Sequence, residues 1–139
     1  MTEADPTTGL IAAPSAATRV AVTNLVDYEI EREYGRNVGA EIAGATSLAV
    51  AGLIHDLRDE YARRNGGSDG VEAYARSVLR IMVRDGLTER LCQCRSIRPA
   101  ARHPHGNMPC DRHFEVDVPP IDGVLLCGGC HVAESDARA

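Results

Sequence analysis

The chain contains no tryptophan, no lysine and a single phenylalanine, Phe114, with four tyrosines to complete its aromatic set. A core made from Ala, Val, Leu and Ile buries less area per residue than an aromatic one. The same scarcity leaves little to line a haem pocket. Without lysine, all fifteen basic residues are arginine; with abundant Ala and Gly this is the composition of a GC-rich genome, a high-GC bacterium or its phage. No long apolar run is present. The most apolar window, residues 42–54, spans thirteen positions and ends against His55 and Asp56. That is too short for a membrane span. The first five residues are acidic and polar and carry no basic leader, so no secretory signal is read there. The formal net charge of −5 argues against a protein that coats nucleic acid. There is no GxSxG motif, and the glycines at 66, 67 and 70 join two helical patterns instead of closing a strand-to-helix phosphate loop.

What is present divides the chain in two. Residues 1–16 hold Pro6, Gly9 and Pro14 and read as a flexible arm. From residue 17 to 88 the apolar spacing is helical. Val20, Val22, Leu25, Val26 and Ile30 form one stripe that stops at Gly35. Val38, Ile42, Ala45, Ala49, Leu53, Leu57 and Tyr61 advance by three or four through a longer helix ending at Gly66 and Gly67. Val71, Tyr74, Ala75, Val78, Leu79 and Met82 form a third stripe, capped by Ser68 or Asp69 and closed at Gly86. Three such helices predict a small antiparallel bundle. Gly39, Gly44 and Gly52 inside the long helix predict a closely packed neighbour, with a kink as the competing account.

Beyond residue 88 the character changes. All five cysteines and four of the five histidines lie between Cys92 and His131. Pro99, Pro104, Pro109, Pro119 and Pro120 forbid long helices, leaving loops and a short hairpin around residues 114–118 and 123–126. Large apolar residues are few, and metal binding commonly stabilises segments that cannot fold on burial alone. The ligand types come in pairs: Cys92 and Cys94, His103 and His105, Cys110 and His113, Cys127 and Cys130. Thiolate and imidazole are the side chains zinc prefers, and a two-residue gap presents both members of a pair to one ion. The knuckle Cys127-Gly-Gly-Cys130 is the strongest local signal.

Spacing leaves the partners open. One zinc can take Cys127 and Cys130 with two of Cys92, Cys94 and Cys110. Two zinc ions can take Cys92, Cys94, Cys110 and His113 on one, and His103, His105, Cys127 and Cys130 on the other. An iron–sulfur cluster on four of the cysteines is a third arrangement. Cys127-Gly-Gly-Cys130-His131 also matches the haem c attachment pattern, but no export signal accompanies it. The thioredoxin pattern fails because no βαβ unit surrounds the pair. An odd number of cysteines without an export signal predicts reduced thiols and a cytoplasmic protein.

Phe114-Glu-Val-Asp117 followed by Leu125-Leu-Cys-Gly-Gly-Cys-His131 resembles the tail of zinc-containing HNH nucleases, over fewer than twenty residues. The resemblance implies a similar zinc knuckle. It does not extend to the chemistry, because Val118 stands where that family's catalytic histidine would follow Asp117, leaving no general base.

The sequence thus predicts a mainly α protein: an arm (1–16), a three-helix body (17–88), an irregular Cys/His-rich metal module (89–133) and a short tail (134–139). The expected function is non-enzymatic, a zinc-stabilised interaction or assembly protein whose helical body binds a protein partner or a second copy. The alternative is a zinc-containing nucleic-acid-binding regulator using Arg95, Arg98, Arg102 and Arg112.

Overall fold

The computed structural model describes residues 14–94, 110–114 and 118–138. The protein is mainly helical, with four helices and only isolated β-bridges among the described residues. The chain divides into two compact units, Met1–Gly86 and Leu87–Ala139.

In the first unit, α1 (Ala16–Glu33), α2 (Gly39–Asn65) and the greater part of α3 (Val71–Glu89) enclose one apolar cluster. Leu25 from α1, Ala49, Leu53 and Leu57 from α2, and Ala75 and Val78 from α3 lie at its centre. These positions repeat at helical spacing, which is why the stripes predict the core. Helix α2 ends where Gly66 takes φ +75°, the left-handed cap that costs glycine nothing.

Helices α1 and α2 pack closely along one another. Gly52 explains it: a Cβ there would collide with Thr18 Oγ1 and come within 3.3 Å of Thr18 Cβ. Thr18 is itself buried, and its hydroxyl donates to Asp56 Oδ2 at 2.8 Å. The backbone N–H of Ser15 donates to the same oxygen at 3.1 Å. Since the Thr18 hydrogen is spent on Asp56, the Ser15 hydroxyl donates to Thr18 Oγ1, 2.8 Å away. Ser15 Oγ also accepts from Thr18 N and so caps α1. The cap of one helix is thereby tied to a carboxylate on the next.

One boundary differs from the sequence reading, and Ser15, near the expected end of the arm, caps α1. Gly86 does not close α3; it sits inside the helix, where a Cβ would meet Val26 Cγ2 at 2.8 Å. It is a close-approach glycine, not a stop. Among the described residues no helix is long and apolar enough to cross a membrane.

The second unit contains α4 (Gly128–Arg138), where the sequence predicts loops and a tail from residue 134. Eleven residues after a double glycine carry too few apolar positions to announce a helix by periodicity. Its inward side chain is Glu134, nearly fully buried, whose Oε1 accepts from Arg138 Nε at 3.2 Å. Arg138 reaches on to Asp122 Oδ2 at 2.7 Å. Asp122 and Gly123 form a two-residue turn with φ of +52° and +76°, and Ile121 and Val124 pair across it. Asp-Gly is the sequence such a turn favours. The expected hairpin falls partly on residues 115–117, outside the described residues. Besides the Ile121–Val124 bridge, the described pairing joins Leu91 to His113.

Candidate metal centre

The Leu91–His113 bridge is antiparallel, fixed by Phe114 N donating to Arg90 O and Cys92 N donating to Arg112 O, both at 2.9 Å. Cys92 follows the bridge directly and Cys94 lies two residues on, at the start of a 3-10 turn. The Arg90 guanidinium carbon lies 5.3 Å from the centre of the Phe114 ring, and buried Phe114 closes this end of the pairing.

The knuckle arrives from the other side. Gln93 N donates to Leu125 O at 2.9 Å and its side-chain Oε1 accepts from Leu125 N at 3.1 Å, which binds the run into Cys127 against the Cys92–Cys94 segment. Cys127 immediately precedes α4, its carbonyl accepting from His131 N at 2.9 Å, and Cys130 lies in the first helical turn. Leu126, almost fully buried, anchors the approach.

The result is a cluster of sulfurs. The Sγ atoms of Cys92, Cys94, Cys110 and Cys130 all lie within 4.8 Å of one another and could hold a metal ion. Cys94 and Cys130 are buried, Cys92 and Cys110 partly so. None of the five cysteines forms a disulfide. Cys127 stands beside the four: its N–H donates to Cys92 Sγ at 3.2 Å, the amide-to-sulfur contact typical of a metal knuckle.

Electrostatics explain how such a group behaves without a cation. The Cys92 thiol donates to Cys127 sulfur and holds it down to about 5, against the cost of burial. Cys92, as the donor in that contact and a buried group, is pushed far up. Burial raises Cys110, and burial followed by the neighbouring Cys127 sulfur raises Cys130. Burial and the neighbouring sulfurs thus disfavour charge on Cys92, Cys110 and Cys130. A divalent cation reverses that penalty, because it neutralises two charges at the centre of the cluster.

The other proposed ligands sort plainly. His113 is described and half-buried on the bridge, but the fourth member of the sulfur group is Cys130. The division that gives Cys92, Cys94, Cys110 and His113 to one ion and Cys130 to another is therefore not the grouping observed. The sulfurs that meet are those of Cys130 and all three upstream cysteines, with Cys127 alongside. Spacing could not reveal this, because the grouping depends on the 91–113 register. His103 and His105 lie outside the described residues, as do Arg95, Arg98 and Arg102. Arg112 is described and exposed, and its carbonyl serves the bridge. Of the HNH-like segment, residues 115–117 lie outside the described residues.

No family model, no curated protein and no solved structure matches this chain.

Proposed function

We propose that the C-terminal unit is a zinc-stabilised module of a non-enzymatic interaction protein, with one zinc held by Cys92, Cys94, Cys110 and Cys130. The observation that carries this is the mutual approach of four sulfurs within 4.8 Å. A tetrahedral zinc with Zn–S bonds of about 2.3 Å sets its sulfurs about 3.8 Å apart, so the four thiols need only draw inward slightly. A cluster of several irons holds its cysteine sulfurs farther apart than a single ion does, which favours one ion. Four thiolates fill the coordination of zinc and leave no open position for substrate, the signature of a structural site. The burial of Leu126 and Phe114 supplies the unit with little apolar area, and the metal makes up the difference.

The test is elemental analysis of protein purified without added metal or affinity histidines. One zinc per chain is expected, lost on chelation together with the ordered signals of the C-terminal unit. Iron with a coloured spectrum, or no metal, overturns the reading. Two zinc ions per chain overturn the ligand set.

A further inference from the structure

Helix α2 carries no charged residue from 42 to 54. Burial in the core accounts for Ala45, Ala49, Val50 and Leu53. It does not account for Ala43, Gly44, Leu48 and Ala51, which are exposed, Leu48 at 69%. Ser47, also exposed, is the one polar side chain among them, and it is small and uncharged. A Cβ added to Gly44 would meet nothing within 4 Å, so this glycine serves no contact inside the chain. One exposed leucine needs no explanation. An uncharged outer face of about three turns does, because helices buried on one side ordinarily carry charge on the other.

Two charges bound this face, Glu41 and Arg58, and neither has an ion pair or hydrogen bond among the described residues. Several other exposed charges on these helices pair locally, Arg32 with Glu29, Arg63 and Arg64 with Glu60, Arg76 with Glu72, while Arg19 and Asp59 resemble Glu41 and Arg58 in making no pair among the described residues. Glu41, Gly44, Leu48, Ala51, His55 and Arg58 are all exposed and follow one another at alternating intervals of three and four. That is the seam spacing of one helix packed along another. The row is also its own complement when reversed. Laid antiparallel on a second α2, Glu41 faces Arg58 of the partner subunit, Gly44 faces the partner's His55, and Leu48 faces the partner's Ala51. Each large side chain meets a small one, and each end closes on opposite charges. A parallel pairing would set Glu41 on its own copy and Leu48 on Leu48.

We propose that this face of α2 is an antiparallel, two-fold homodimer interface, its occupant a second copy of this chain. The inference rests on the interaction reading above and names its partner; it does not require the metal. Residues 41–58 extend about 25 Å along the helix, a small interface, so the dimer is expected to be reversible.

Sedimentation equilibrium of the full zinc-loaded chain, over a wide concentration range, tests it. A monomer–dimer equilibrium is expected. Leu48→Glu would set a carboxylate against the partner's Ala51 and raise Kd by on the order of tenfold or more. Glu41→Arg and Arg58→Glu should each weaken the dimer by roughly threefold to tenfold, and the double reversal should restore it, since the opposed signs are recreated. All three sites are exposed, and unchanged helical circular dichroism would establish that the variants fold. A monomer at every concentration, a dimer indifferent to Leu48→Glu, or single reversals that the double variant fails to rescue would each overturn the proposal. So would a chain that dimerises only after residues 1–13 are removed. Zinc content on the same samples separates the two readings: a metal-free chain that dimerises fails only the zinc reading, and a zinc-loaded monomer fails only this one.

Discussion

The helical unit buries eleven residues in one apolar cluster, all of them Ala, Val or Leu at helical spacing. The C-terminal unit buries Phe114, Leu126 and Glu134 together with Cys94, Cys127 and Cys130 among its described residues. In the first, order comes from many weak and interchangeable contacts. In the second it depends on a few groups whose chemistry is specific. The two should therefore fail differently: the helical unit by degrees, the module all at once.

Metal removal should produce the largest effect and the sharpest contrast. Apparent zinc-binding energies in small metal-folded modules are on the order of 10 kcal/mol, more than a small domain's whole stability. Chelation, or Cys130→Ser, is expected to collapse the dispersed amide signals of residues 110–138 while those of α1 and α2 keep their positions. Cooperative loss of both units together would contradict their independence. Next in size is Leu53→Ala. Leu53 is fully buried at the centre of the helical cluster, so its truncation should cost about 3 kcal/mol and lower the thermal midpoint without changing zinc content.

Gly52→Ala offers a finer discrimination, because two effects oppose each other. Alanine gains about 1 kcal/mol of helix propensity over glycine. Its methyl would collide with Thr18 Oγ1, whose position is fixed by the Asp56 and Ser15 hydrogen bonds. Overpacking of that kind costs roughly 1–3 kcal/mol, so a modest net loss in urea midpoint is expected. Gly44→Ala, with nothing within 4 Å, should instead raise the midpoint under monomeric conditions. If both variants gain stability, the close α1–α2 approach is not held by Gly52.

The same contrast governs what can be read from the sequence. The helical stripes are legible because burial repeats with the helix: Ala49, Leu53 and Leu57 name the core of α2 from their spacing alone. Glycines are legible as a class but not by role. Gly66 ends a helix, Gly52 and Gly86 admit a neighbour, and Gly44 lies in open space. In the C-terminal unit the ligand types are legible and their grouping is not. Cys130 joins Cys92, Cys94 and Cys110 because Leu91 pairs with His113 and Gln93 binds Leu125, contacts that no local pattern encodes. Helix α4 escapes a periodicity reading because its inward face is made by Cys130 and Glu134, not by an apolar stripe.

The smallest expected effect is a pH dependence at Asp56, where the helical unit uses the kind of specific polar contact that dominates the module. Burial raises the Asp56 carboxyl, but the Thr18 hydroxyl, the Ser15 backbone and side chain, and nearby His55 together outweigh it and leave the group below its ordinary value. A folded value below the unfolded one means that the carboxylate stabilises the protein above about pH 4, the unfolded value. That contribution is lost as the pH falls through the lower folded value. Asp56→Ala should therefore cost about 1.5–3 kcal/mol at neutral pH, the range for hydrogen bonds to a charged group. The difference from the parent chain should shrink toward acid, apart from the penalty of leaving Thr18 unsatisfied. Thr18→Val removes the side-chain donor while Ser15 N still reaches Oδ2, so its pH dependence should be the shallower of the two. Urea midpoints of the three chains at pH 7 and near pH 3 check this. Parallel curves would show that Asp56 contributes through its shape and not its charge, and the tie between the cap of α1 and helix α2 would then be a packing contact alone.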